Sequence, residues 1–197
     1  MPRPASENRR IRDERQEHIL RAAAGLFARK GLMATTIAEI AATAQVSHGL
    51  AYHYFASKEE IFRLLVMRAM QGTERVVHEA HVREGTVSER LRWLISEMID
   101  GARRSANYML IVQQAIISEA VSAEVRELVL QGAQNSLDLL SELFREGQDN
   151  DEIISGDARQ LAMLLLSCVQ GIVAGAVMPF KQPDIEAETM LRLFLKR

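Results

Sequence analysis

The chain has 197 residues, with 24 Lys and Arg against 26 Asp and Glu and a formal net charge of -2; 48% of it is hydrophobic and it holds one cysteine, Cys168. That is enough apolar material for one large domain or for a small reader joined to a larger body, and the lone cysteine excludes an intrachain disulfide and a thiolate-cluster metal site. The balance hides an asymmetry: residues 1–60 carry 9 Lys/Arg and 7 Asp/Glu (net +2), leaving 15 against 19 (net -4) for the rest, so positive charge gathers where it can steer toward phosphate.

Residues 1–12 read as a flexible basic arm. The stretch PRPASENRRIRDER holds two prolines and five arginines, a composition that does not favour a fold of its own. Arg3, Arg9, Arg10 and Arg12 are placed to reach phosphates or a minor groove, or else simply to stay solvated. A first helix is expected from about Asp13 to Lys30, with Ile19, Ala22, Ala23, Leu26 and Phe27 on one stripe and Gly31 as its C-cap. The charged N-terminus, with no apolar core segment, does not read as a signal peptide.

Three short helices follow between Thr35 and Phe62. Thr36 stands three residues before Glu39, and Ser57 three before Glu60, the spacing of capping boxes. Ser47 between them suits an N-cap. Ala44, Gln45 and Val46 leave room only for a tight turn, which makes the pair a helix-turn-helix. With Ser47 as cap, His48, Gly49, Tyr52 and His53 share one face. Val46, Ala51 and Phe55 point back toward the supporting helices, and Tyr54 fits either side. Gly49 has no side chain to hold the backbone off DNA. Free N–H groups at a helix start attract phosphate, and tyrosine and imidazole can bond phosphates or base edges. Lys58, in the first turn of the next helix, is expected to meet a phosphate. The alternative for the aromatic run Tyr52–Phe55 is an ordinary core cluster, which is the preferred reading for Phe55.

Beyond Ile61 every pattern is helical. A helix from Ser57 to about His78 carries Ile61, Leu64, Leu65 and Arg68 on successive turns. Thr86 and Glu89 form another capping box before Leu91, Leu94, Ile95 and Met98. A break is expected at 101–107, then a helix near Tyr108–Glu119. Ser122 caps a long helix ending at Gly147. Asp157 caps a helix over Leu161–Val177, stopped by Pro179, and Asp184 caps a last one through Leu191 and Phe194. Alternating strand patterns and internal repeats are absent from the sequence.

The Leu161–Val177 helix is apolar nearly all round and therefore needs cover on two sides. Its polar interruptions and lack of basic flanks argue against a membrane span, so a cytoplasmic protein is expected. Leu164, Gly171 and Gly175, with Leu191 and Phe194 of the last helix, are the candidate dimer interface. Trp93, Met98, Met109, Met163 and Cys168, mixed with Gln113, Ser136 and Ser167, suit a small-molecule cavity or the edge of an ordinary core. Enzyme readings find little. Glu74, His78 and His81 resemble half of a metal site, but no second half, glycine-rich phosphate loop or nucleophile elbow accompanies them. No catalytic residue, metal or cofactor is expected.

The run from Arg15 to Leu65, about a quarter of the chain, resembles the DNA-binding domain of TetR-family transcriptional regulators. The resemblance rests on Phe27 to Gly31, Thr35 to Ala41, Val46 to Gly49, Tyr52 to Phe55 and Ser57 to Glu59, in that order and spacing. Leu50 and Ala51 depart from the threonine and leucine common there, so no DNA role passes to Leu50. The resemblance implies that Thr36, Ser47, Gly49, Tyr52, His53 and Lys58 sit against an operator and that His48 tunes sequence preference. It also implies a homodimer built through the last two long helices, double-stranded operator DNA and a small effector as partners, and usually repression. The expected architecture is all-α: a helix-turn-helix domain over residues 13–60 and a larger ligand-binding and dimerisation domain over 61–197. The competing reading is an all-helical small-molecule or metal-binding protein that does not bind DNA.

Overall fold

The computed structural model describes residues 5–104, 106–176 and 183–196. Those residues are helical almost throughout. The order is α1 (Ala5–Lys30), α2 (Ile37–Thr43), α3 (His48–Tyr54), α4 (Lys58–Val82), α5 (Val87–Arg104), α6 (Ala106–Ile117), α7 (Ala123–Asp149), α8 (Ala158–Ala176) and α9 (Ala187–Leu191). The architecture is the expected all-α arrangement of a small N-terminal reader and a larger helical body.

Local chemistry explains most boundaries. Ser122 accepts the Val125 N–H, and Asp157 accepts the Gln160 N–H at 2.8 Å. Thr86 and Glu89 exchange both bonds of a capping box. Other boundaries differ from expectation. The first helix starts at Ala5 rather than Asp13. Glu7 in its first turn suits the positive helix end, and Arg10 pairs with Glu14 one turn on at 3.2 Å. Most of the presumed arm is thus helical; Arg3 lies outside the described residues. Instead of breaking at Gly101, α5 runs on to Arg104. α7 continues past Gly147, a buried position where a Cβ would lie 2.4 Å from Ile153 Cγ1 and 2.8 Å from Val87 Cγ1, so only glycine lets those side chains close over the helix.

The largest departure is the C-terminal segment. α9 has only five residues, its N-cap is Glu186, and Asp184 pairs with Arg103 instead of capping. Val177 and Pro179 lie outside the described residues. After α9 the chain turns, and Leu195 bridges to Ile153.

Two apolar clusters hold the chain together. The first joins α1–α3 and the base of α4 to Ile111 and Ala115 of α6 and the start of α7. The second joins the far end of α4 to α5, α7, α8 and the C-terminal segment. α4 therefore belongs to both. Arg90, only 5% exposed, ties α5 to the end of α4 through the Ala80 and His81 carbonyls and to α7 through Glu146 at 2.6 Å.

Candidate nucleic-acid interface

The reader is positioned by its turns. Thr36 and Glu39 close a full capping box on α2. The Lys30 ammonium at 2.6 Å and the Thr36 N–H hold the Glu39 carboxyl below the usual carboxylate range. At the end of α2 the Ala44 N–H bonds the Ile40 carbonyl and the Val46 N–H reaches back to Ala41 at 2.9 Å. Between them Gln45 takes φ 51°, the left-handed region that reverses the chain. Ser47 then caps α3 by accepting the Leu50 N–H at 3.2 Å.

This geometry sorts the side chains of α3. Ala51 and Phe55 are buried, Tyr54 packs at the core edge, and His48, Gly49, Tyr52 and His53 are exposed with Ser47. Thr36 is exposed beside them at the start of α2. Tyr52 keeps half of its surface in solvent while its ring meets His48 edge to face at 4.9 Å between centroids. A Cβ built on Gly49 touches nothing in the chain within 4 Å. Packing thus gives no reason for glycine there, whereas a surface approaching α3 from outside does.

Lys58 departs from expectation. Its ammonium donates to the carbonyls of Leu32, Met33 and Thr35 at 2.9, 3.1 and 2.9 Å. An ammonium has three protons, and all are engaged inside the reader. Lys58 thereby pins the first turn of α4 onto the α1–α2 connection. At the start of α4 the expected capping box is half formed: Ser57 accepts the Glu60 N–H at 3.2 Å, but Glu60 accepts the Ala56 N–H at 2.7 Å rather than that of Ser57.

A cavity of about 520 Å³ lies in the body between α4, α5, α6, α7 and α8, within the size range of small-molecule sites. Met98, Met109 and Ser136 line it, as expected. Trp93, Gln113, Met163, Ser167 and Cys168 do not. Trp93 lies under the Arg83 guanidinium at 4.8 Å, Gln113 and Met163 are exposed, exposed Ser167 bonds back to the Met163 carbonyl, and Cys168 packs against the second cluster. α6 separates the cavity from the reader. Tyr108, Met109, Val112 and Ile116 face the cavity, while Ile111 and Ala115 sit in the reader's cluster and Gln114 donates to the Phe27 carbonyl of α1 at 2.9 Å.

The candidate interface residues also divide. Leu164 is 54% exposed on α8, with Met163 beside it and Gly171 exposed two turns on. Gly175 is half-buried. Leu191 and Phe194 are buried in the chain's own second cluster, Phe194 against Phe144, so neither offers a surface to a partner. The short α9 folds back to cover the body rather than standing beside α8 as a second interface helix.

Residues 19–65 match the family model for bacterial regulatory proteins of the tetR family. The matched reader domain is similar to the DNA-binding domain of TetR-family regulators. Among the relatives of this chain is the HTH-type transcriptional repressor Rv3405c of Mycobacterium tuberculosis, 32% identical over 105 residues, or 50% of this chain and 56% of that one. The chain thus spans little more than half the length of that relative. The whole architecture is shared with solved structures. The ketosteroid transcriptional regulator KstR2 of Mycobacterium tuberculosis superposes with a TM-score of 0.76 at 19% identity, covering 93% of this chain and 96% of that one. AibR in complex with isovaleryl coenzyme A and operator DNA superposes with a TM-score of 0.71 at 23% identity, covering 90% and 94%.

Sequence reasoning missed the polar part of the cavity, where Arg68, Arg75, Glu97, Arg104 and Tyr108 join the apolar lining. One signal was present. Arg68 interrupts the apolar stripe of α4 that Ile61 and Leu65 define, and a cation on a buried stripe has a partner to find. Among the described residues no group of three or more His, Cys, Asp or Glu side chains is arranged to hold a metal ion, and no helix is long and apolar enough to cross a membrane.

Proposed function

We propose that this protein is a ligand-responsive transcriptional repressor that binds a pseudo-palindromic operator as a homodimer. The observation that carries the reading is the exposed α3 face of Ser47, His48, Gly49, Tyr52 and His53, set on a rigidly capped helix-turn-helix with open space over Gly49. Ser47 and the first N–H groups of α3 meet phosphate, Tyr52 and His53 contact phosphate or base edges, and His48 contributes to base preference. Thr36 supports the same edge from α2. Lys58 acts from behind by holding the turn. One short helix reads few base pairs, so two copies reading half-sites about 34–36 Å apart are needed for specificity. The exposed apolar stripe of α8 around Leu164 is the surface on which the two copies meet.

An effector in the cavity bears on the reader through α4 and α6. Both helices line the cavity and both enter the reader's apolar cluster. Release requires that the effector bind the DNA-incompetent arrangement more tightly; a coupling of ~1–3 kcal/mol weakens operator binding roughly 5- to 150-fold. The solved AibR structure holds isovaleryl coenzyme A and operator DNA, which supports a fold able to take both kinds of partner.

The test selects bound fragments of the source genome and measures their binding by fluorescence anisotropy. Tyr52→Ala is expected to weaken binding roughly 5- to 150-fold, a loss of ~1–3 kcal/mol, with helicity and assembly unchanged. His48→Ala is expected to alter base preference. Wild-type affinity and preference in both variants removes this face from the interface.

A further inference from the structure

We propose that the effector is an apolar molecule with an anionic head, and that it signals by taking Arg68 away from Glu17. This rests on the reading of the protein as a regulator and adds to it the ligand class and the contact that is broken. Arg68 lines the cavity from α4, yet its Nη2 lies 2.6 Å from Glu17 Oε1 on α1 of the reader. One guanidinium therefore serves both the cavity wall and the joint between body and reader. A guanidinium stays protonated at any working pH, and the Glu17 carboxylate, against the opposing effect of burial and with a smaller contribution from Tyr108, favours the charged form of Arg68 further.

The rest of the wall fits an anion with an apolar body. Arg75 and Arg104 stand exposed at the cavity; the carboxylate of Glu97 also lines it, 3.8 Å from Arg104, and leaves three guanidinium groups against one carboxylate among the lining residues. Most of the remaining lining is apolar, from Met70, Met98 and Val112 to Leu166. Deeper in, Ser136 is 3% exposed, lines the cavity, and its Oγ has no hydrogen-bond partner. A buried hydroxyl is ordinarily paired, so Ser136 calls for a polar atom in the ligand. The two carboxyl-type partners then compete. A ligand anion at Arg68 displaces Glu17, and the ion pair joining α4 to α1 is lost as the ligand enters.

Calorimetry on the full chain without DNA tests this independently of operator binding. Hexanoate, decanoate and tetradecanoate are compared with the alcohols of the same lengths, and decanoyl coenzyme A tests a head whose charge lies on phosphates. At least one anion is expected to bind about tenfold or more tighter than its neutral counterpart, the difference a charge-assisted bond makes. The carboxylate or the thioester, whichever is tighter, identifies the head. Glu17→Gln frees Arg68 and is expected to tighten that anion about two- to fivefold, the worth of a partly exposed ion pair, while leaving the alcohol unchanged. Arg75→Gln with Arg104→Gln is expected to weaken the anion only. Equal affinity for anion and alcohol, no binding of any anion, or unchanged anion affinity in Glu17→Gln overturns the proposal. Failure to bind DNA would instead sink the regulator reading and leave these ligand results standing.

Discussion

Lys58→Met separates two roles that one lysine can play in a reader of this kind. Methionine keeps the apolar stem and removes the ammonium with its bonds to Leu32, Met33 and Thr35. Hydrogen bonds to a charged donor are each worth about 1.5–3 kcal/mol, and a part-buried carbonyl left without a donor costs about 1 kcal/mol or more. Two of the three bonds are part-buried and the Met33 bond is exposed, so water replaces at least one of them. The net loss is about 2–3 kcal/mol, or roughly 5–10 °C in Tm for a chain of this size. Urea denaturation followed by circular dichroism measures the loss. Operator binding across a salt series, at a temperature where the variant is folded, measures the phosphate count. Since the ammonium is already engaged, the slope of log affinity against log salt is expected to stay as in the wild type. Wild-type stability together with a slope smaller by about one would show that Lys58 contacts phosphate after all and that the three carbonyls do not need it.

Two further expectations concern the body. Burial opposes the charge of Glu152, but the Ser88 and Val87 N–H groups at the start of α5, helped by Arg90, hold its carboxyl below the usual range. Its contribution is therefore present above the unfolded value and lost as pH falls through the lowered folded one. Glu152→Gln is expected to cost about 1–2 kcal/mol near neutral pH, with the gap to wild type closing below about pH 5 in a pH series of urea melts; a gap independent of pH refutes the assignment. Leu164→Glu is expected to leave the fold intact, since the side chain is exposed in the single chain, and to convert dimers to monomers in analytical ultracentrifugation. A dimer of unchanged affinity moves the interface off α8.

What the sequence conveyed and what it withheld divide by range. The Thr36, Ser47 and Thr86 caps, the tight turn at Gln45 and the exposed α3 face follow from residues within a turn or two of each other, and the structure has them as read. The internal bonds of Lys58 were not legible because its three acceptors lie 23 to 26 residues upstream, and only tertiary packing brings them together. Composition misled at the N-terminus, where Arg10 and Glu14 at helical spacing outweigh a proline- and arginine-rich look. Residue type alone found Met98, Met109 and Ser136 at the cavity, but it cannot tell a lining face from an outer one. Met163 and Ser167, on a helix apolar nearly all round, therefore fell on the wrong side. Leu191 and Phe194 are apolar for the chain's own sake.

The span of α4 across both apolar clusters has a mechanical consequence. At 25 residues and about 1.5 Å per residue it is a rod of roughly 37 Å. A tilt of only about 5° at one end displaces the other by roughly 3 Å, comparable to one base-pair step of the DNA axis. Helix preference along the rod is weakest at one interior residue. Gly72 stands at the cavity wall, a Cβ there would meet nothing within 4 Å, and an interior helical glycine gives up about 1 kcal/mol of stiffness-conferring preference relative to alanine. Gearing and give sit in the same helix. The sensitivity of the reader to what fills the body is then set less by how tightly a molecule is held than by where along this rod its pressure falls, above or below Gly72.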